Sequence, residues 1–305
     1  MLPTGRFAPS PTGPLHFGSL VTAVASYLSA RSKYGRWLVR IEDLDPPRIQ
    51  AGATESILHT LKQYGFEWDG EIIFQSSPTR QAAYTEALMQ LQPYSYPCYC
   101  SRKHLQQNAQ QGRFGAIYAD TCRSRPQIPN PQATAIRIKT PDETIGFHDL
   151  IYGDYAQQLH AEIGDFVIKR ADGLWAYQLA VVVDDADQGI TEVVRGADLL
   201  DNTPRQIYLQ SLLGYATPHY AHIPLVLDTQ GQKLSKQTYA PALPLDEHSI
   251  RHNLYQALKF LNQNPPDELR TTPMKAIWDW SIQHWSFNGL RPQQMTADLD
   301  LVQTP

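Results

Sequence analysis

The feature that most constrains this chain is a strand–helix–strand pattern at its start. Residues 3–8 read as a short extended stretch, halted by Pro9 and Pro11. A helix is predicted from His16 to about Tyr34, because Leu20, Val24 and Leu28 recur at helical spacing and Val21 and Ala25 widen the apolar stripe. Gly35 supplies a stop. Trp37-Leu38-Val39-Arg40-Ile41 then reads as a buried strand ending at Glu42-Asp43. This spacing makes a βαβ unit, which requires a parallel sheet with a right-handed crossover. Ligands of such sheets lie at the carboxyl ends of the strands. Both the Arg6-to-His16 stretch and Glu42 fall there.

The rest of the chain extends that reading to an α/β, Rossmann-type domain. Helices are expected over 49–65 and 79–92. From Pro93 the chain becomes dense in Pro, Gln, Arg and Cys, a shift that marks an insertion between two halves of the sheet. Phe166–Lys169 and Leu174–Tyr177 flank Asp172-Gly173 and read as a hairpin. A strand over 190–194, a helix from Pro204 capped by Thr203 and stopped at Gly214, and a last strand at Leu225–Leu227 follow. The expected division is 1–92 and 166–237 for the two halves of the catalytic domain, 93–165 for the insertion, and 238–305 for a helical C-terminal region.

Composition excludes some classes. With 42% hydrophobic and 18% charged residues, the chain resembles an ordinary soluble globular protein. No run approaches about 18 apolar residues and no secretory leader is visible, so a cytoplasmic protein away from membranes is the expectation; it is expected to be a monomer. The net charge of −4 does not announce a nucleic-acid partner. Locally, though, Arg102, Lys103, Arg113, Arg123 and Arg125 face a single acid, Asp120, and suit a phosphate backbone.

Two distant motifs carry the chemistry. His16-Phe17-Gly18-Ser19 resembles the HIGH signature of class I aminoacyl-tRNA synthetases, and Lys233-Leu234-Ser235-Lys236-Gln237 resembles their KMSKS signature. Each is weak alone; in this order and setting they are strong together. Joining a carboxylate to the α-phosphate of ATP builds charge on phosphate oxygens, which calls for donors and cations aimed there. His16 is expected to donate to those oxygens, Gly18 to let the nucleotide approach the backbone, and Ser19 to cap the helix start. Lys233 and Lys236 would meet the pyrophosphate, and Lys236 is expected to matter most.

Arg6 and Arg195 follow apolar residues at strand ends and suit bidentate capture of a carboxylate. Glu42 suits an α-ammonium. A structural ion pair is the alternative for each. Together the three match a dicarboxylic amino acid such as glutamate. Cys98, Cys100 and Cys122 cluster in one segment and read as a metal site, with His104, His148 or Tyr118 as the fourth ligand.

With Arg6–Gly13, Arg40–Asp45 and Val183-Asp184-Asp185, these motifs resemble glutamyl-tRNA synthetases over roughly residues 4–240. The brevity of the chain and its Cys-x-Cys and Tyr-x-x-x-Cys spacing are similar to the glutamyl-queuosine tRNA(Asp) synthetases. That resemblance implies activation of glutamate by ATP with Mg2+, without tRNA, and transfer onto queuosine in the anticodon of tRNA(Asp). It implies that Arg6, Phe7, Ala8, Pro9, Ser10, Glu42, Tyr177 and Arg195 bind glutamate. It implies that His16 and the Lys233–Gln237 loop handle ATP, and that Cys98, Cys100, Tyr118 and Cys122 hold a structural zinc. Ser19 and Gln237 depart from the generic signatures without removing His16 or Lys236. The rivals are an ordinary glutamyl-tRNA synthetase charging the 3′ end and a non-catalytic RNA-binding paralogue.

Overall fold

In the computed structural model, which describes residues 2–124, 134–227, 241–292 and the backbone of 295–296, the expected unit is β1 (Thr4–Phe7), α1 (Phe17–Arg31) and β2 (Arg36–Ile41). The strands pair in parallel, from Thr4 opposite Arg36 to Phe7 opposite Val39. His16 is extended and forms the N-cap of α1, its Nδ1 accepting from the Ser19 N–H at 3.4 Å. Ser19 is therefore the capped residue and not the cap, because a side chain inside the first turn cannot reach back to that amide. Past the helix, the backbone at Gly35 runs so close to Pro3 that a Cβ would lie 2.3 Å from the Pro3 carbonyl oxygen. Only glycine fits there.

The chain continues through α2 (Ala53–Gln63), β3 (Ile73–Phe74) and α3 (Pro78–Gln90). β3 extends the parallel sheet, with Arg40 opposite Ile73. The insertion contains β4 (Ser95–Cys98), α4 (Arg102–Asn108), the ribbon β5 (Gln110–Gly112) and β6 (Gly115–Ile117), and β7 (Ala135–Ile138). Next come β8 (Thr144–Asp149), β9 (Gly153–Gln158), α5 (Leu159–Glu162) and β10 (Phe166–Lys169). β10, β7 and β4 make a three-stranded antiparallel sheet. The β8–β9 hairpin goes elsewhere. It lies within the span read as insertion but joins the sheet of the second half.

That second half holds α6 (Tyr177–Asp187), β11 (Glu192–Gly196), α7 (Thr203–Leu213), β12 (His219–Ile223) and β13 (Val226–Leu227). β11 and β12 pair in parallel, Glu192 opposite His219 through Gly196 opposite Ile223, and β12 meets β8 at Tyr220 and Asp149. The Thr191 N–H donates to the Thr4 carbonyl at 3.0 Å, so β1 and β11 lie side by side. Two expectations are corrected here. The hairpin at Asp172-Gly173 reduces to one bridge, Lys169 with Trp175, and Tyr177 opens α6 instead of closing a strand. Residues 178–185 of α6 are all buried, so no amphipathic stripe betrays the helix. Thr203 is the first residue of α7, with Asn202 at the cap, because the Thr203 hydroxyl is engaged by Arg195.

Finally α8 (Glu247–Phe260) packs on α1, with α9 (Met274–His284) and β14 (Met295–Thr296) beyond it. Tyr27 sits edge-on to Trp37, Phe66 and Trp278 at 5.1, 5.4 and 4.9 Å. The C-terminal helices thus close the main core over α1. Among the described residues, no helix is long and apolar enough to cross a membrane.

Candidate active site

The carboxyl ends of β1, β2 and β11 open onto adjoining recesses. One is lined by Pro9, Ser10, Thr12, His16, Gly18 and Ser19, with Gly196, Asp198 and Val226 opposite. A neutral imidazole that accepts at Nδ1 carries its proton on Nε2, so the capped geometry leaves His16 as a donor at its other nitrogen. The second recess is lined by Arg6, Phe7, Ala8, Ser10, Glu42, Tyr177 and Arg195. All the residues expected at glutamate meet here except Pro9, which lines the first recess. A third recess shares Ser10, Glu42, Arg48 and Tyr177 and is lined further by Asp45, Arg170 and Trp175. Lys233, Lys236 and Gln237 lie outside the described residues.

The two arginines differ in electrostatics. Arg6 donates through Nε and Nη2 to Asp185 at 3.1 and 3.3 Å. Arg40, fully buried on β2, reaches the same carboxylate at 2.9 Å and Glu42 at 3.3 Å. The ion-pair alternative therefore accounts for one edge of Arg6. Arg195 is ringed by neutral partners instead: His222 Nε2 at 3.0 Å, Thr203 Oγ1 at 2.8 Å, the Leu199 carbonyl at 3.4 Å and the Tyr177 hydroxyl at 3.4 Å. Among the described residues no carboxylate pairs with it. An uncompensated guanidinium at the wall of a recess is a receptor for an anionic group.

Glu42 is complementary. Burial raises its carboxyl above the usual range, even against the pull of Arg40 and Arg6. Asp185 goes the other way: burial opposes ionisation, but Arg6 and Arg40 hold the carboxyl below its ordinary value. Asp184 anchors the far side of the network, receiving Gln75 at 2.6 Å, Arg80 at 2.7 Å and Tyr84 at 2.9 Å. In the sequence alone Asp184-Asp185 is part of a family-like motif with no role of its own. His222 and Asp149 do not stand out there either. A histidine inside the apolar strand Tyr220-Ala221-His222-Ile223 was the available signal.

The insertion brings its ligand candidates together. Cys100 and Cys122 sulfurs lie 3.6 Å apart, and the Tyr118 hydroxyl is 3.6 Å from Cys98 and 3.9 Å from Cys100. A tetrahedral ion with bonds of about 2.3 Å would space thiolates about 3.8 Å apart. The donor set fits such an ion. Burial, then the neighbouring thiols, push the Cys100 thiol up to about 11, a repulsion that a divalent cation would relieve. His104 turns to Asn108 and His148 to Asp154, and among the described residues neither joins the thiols. Of the expected basic patch, Arg123 is engaged by Asp165 at 3.3 Å, and Arg125 lies outside the described residues.

Residues 4–258 match the catalytic domain of class I tRNA synthetases (E and Q). The chain is 54% identical over 297 residues to a glutamyl-Q tRNA(Asp) synthetase of Neisseria meningitidis serogroup C, covering 96% of this chain and 99% of that protein. The chain belongs to this family. A glutamyl-Q tRNA(Asp) synthetase of Thiobacillus denitrificans is 53% identical over 296 residues, covering 96% of both chains. Among solved structures, a glutamate tRNA ligase from Elizabethkingia meningosepticum in complex with its amino acid superimposes with a TM-score of 0.80 at 25% identity. That match covers 97% of this chain and 67% of the ligase. The expected α/β class I catalytic fold holds.

Proposed function

We propose that this chain activates glutamate with ATP, without needing tRNA, and transfers the glutamyl group to queuosine of tRNA(Asp). The observation that carries the reading is the identity of about half the residues with glutamyl-Q tRNA(Asp) synthetases across nearly their whole length. The site supports it. A carboxylate oxygen of glutamate attacks the α-phosphorus, and the bond to pyrophosphate breaks. A hydroxyl of the queuosine cyclopentenediol then attacks the acyl carbon, and AMP leaves. Arg195 would receive the side-chain carboxylate and Glu42 the α-ammonium. His16, with Lys233 and Lys236, would offset charge on the phosphates, accompanied by Mg2+. The recess past Asp45 and Arg170, which shares Ser10, Glu42 and Tyr177 with the glutamate recess, would admit the acceptor beside the bound amino acid.

Cys98, Cys100, Tyr118 and Cys122 would hold zinc, which ties β4 to the loop after β6 and does no chemistry in the reaction. Labelled glutamate offered to tRNA(Asp) with and without queuosine tests the function. Transfer only to the queuosine-bearing tRNA is expected. Efficient charging of glutamate tRNA at its 3′ end, with none to queuosine, would overturn it.

A further inference from the structure

We infer that Asp149 and His222 are positioning residues that fix Arg195 with its charge aimed at the amino-acid side chain, and so set the preference for a dicarboxylic substrate. The inference rests on the glutamate-activating reading and adds residues that do not line the substrate recess. The register of the sheet makes the arrangement. Arg195 on β11 stands directly opposite His222 on β12, so the two side chains share one face. Asp149 ends β8 on the other side of β12.

His222 has a defined tautomer. Its Nδ1 lies 2.6 Å from Asp149 Oδ2 and its Nε2 lies 3.0 Å from Arg195 Nε. Arg195 can only donate, so Nε2 must accept, and the ring proton sits on Nδ1 facing the carboxylate. A doubly protonated ring would lose that acceptor and place a like charge against the guanidinium. Both His222 and the Asp149 side chain are sealed from solvent. Asp149 is held in turn by the backbone N–H groups of Ile151 and Tyr152, each at 2.9 Å.

The arrangement has a consequence for selectivity. A carboxylate in direct contact with Arg195 would fix the guanidinium equally well but would neutralise it, as Asp185 does for Arg6. Interposing a neutral imidazole orients the fork and keeps the negative charge of Asp149 one ring away. The receptor stays cationic. It therefore prefers a carboxylate over the isosteric neutral amide.

The test compares two polar replacements of His222 that retain hydrogen-bonding capacity. His222→Gln can place an amide oxygen near the position of Nε2. His222→Asn ends near Nδ1 and leaves Arg195 Nε without its acceptor. Amino-acid-dependent ATP–pyrophosphate exchange is measured for glutamate and glutamine, together with the KM for ATP. His222→Asn is expected to raise the glutamate KM roughly 10- to 100-fold. The ratio of kcat/KM for glutamate over glutamine should fall with it, while the ATP KM moves less than about threefold. His222→Gln should restore the glutamate KM to within about threefold of the wild type. Asp149→Asn, which leaves either tautomer possible, should also lower the selectivity ratio. An unchanged ratio in His222→Asn would overturn the inference, as would equal damage in the Asn and Gln variants or a matching rise in the ATP KM. Wild-type exchange that responds to neither amino acid would overturn the activation reading itself, and this inference with it.

Discussion

Arg6 enters the substrate recess with its fork already closed on Asp185, at 3.1 Å through Nε and 3.3 Å through Nη2. Arg40, on the neighbouring strand β2, grips the same carboxylate at 2.9 Å. One buried anion thus holds two buried cations from neighbouring strands. This leaves Arg195, and not Arg6, as the cation without a carboxylate partner among the described residues of the recess. The pair of arginines is therefore asymmetric, one closed on a buried carboxylate and one met only by neutral partners among the described residues.

Asp185→Asn should destabilise the fold by about 3–5 kcal/mol, because removing one partner of a buried pair leaves charge uncompensated. Urea unfolding measures this. The native Asp185 carboxyl is held below its ordinary value by Arg6 and Arg40. Its contribution is thus fully present above about pH 4 and is lost as pH falls through the depressed native value. The wild type should lose stability on acidification more steeply than the variant. Parallel stability–pH curves would refute the assignment.

Glu42 carries the opposite shift, since burial raises its carboxyl. Glutamate affinity should therefore weaken on acidification at a pH above the usual carboxylate value of about 4.3, as Glu42 takes up a proton. Glu42→Gln should raise the glutamate KM by roughly 10- to 100-fold and remove that limb of the pH profile. A variant that keeps the limb would place the titrating group elsewhere.

Lys236→Ala should lower glutamate-dependent ATP–pyrophosphate exchange by roughly two to three orders of magnitude, with a much smaller effect on glutamate binding. The assay needs no tRNA. Near-normal exchange would remove Lys236 from the pyrophosphate.

The sequence was legible where chemistry is local. β1, α1 and β2 could be placed because apolar spacing, Gly35 and the prolines act within a few residues. Arg6, Glu42 and Arg195 could be collected because strand ends in such sheets converge, and Tyr177 through the family resemblance. Partnership across the chain was not legible. Asp185 looks like any acidic residue until α6 brings it beneath β1, and His222 acquires meaning only from the β11–β12 register. The β8–β9 hairpin was assigned by composition to the insertion, because composition does not report which edge a strand joins. α6 was missed for a related reason. A helix buried on every side has no polar face to announce its period.

The metal prediction separates architecture from catalysis. Protein never exposed to chelators should carry about one zinc per chain, as a four-coordinate structural site requires. Cys122→Ser should lose that metal and loosen the loop between β6 and β7, while exchange with glutamate and ATP persists. Persistence is expected because the thiol cluster has its own small core with Tyr96, Cys98 and Tyr118 and shares no lining residue with the two recesses at His16 and Arg195. Tyr118 tests the coordination directly. Its hydroxyl accepts the Cys122 N–H at 2.8 Å and lies 3.6 Å from the Cys98 sulfur. Removing that oxygen should therefore weaken zinc binding without emptying the three-thiol site. Competition with a chelator would show Tyr118→Phe releasing zinc more readily than the wild type but less readily than Cys122→Ser. Equal affinity in Tyr118→Phe and the wild type would assign the fourth position to water or to another side chain. An absence of zinc from freshly prepared protein would leave the three thiols as reduced core residues.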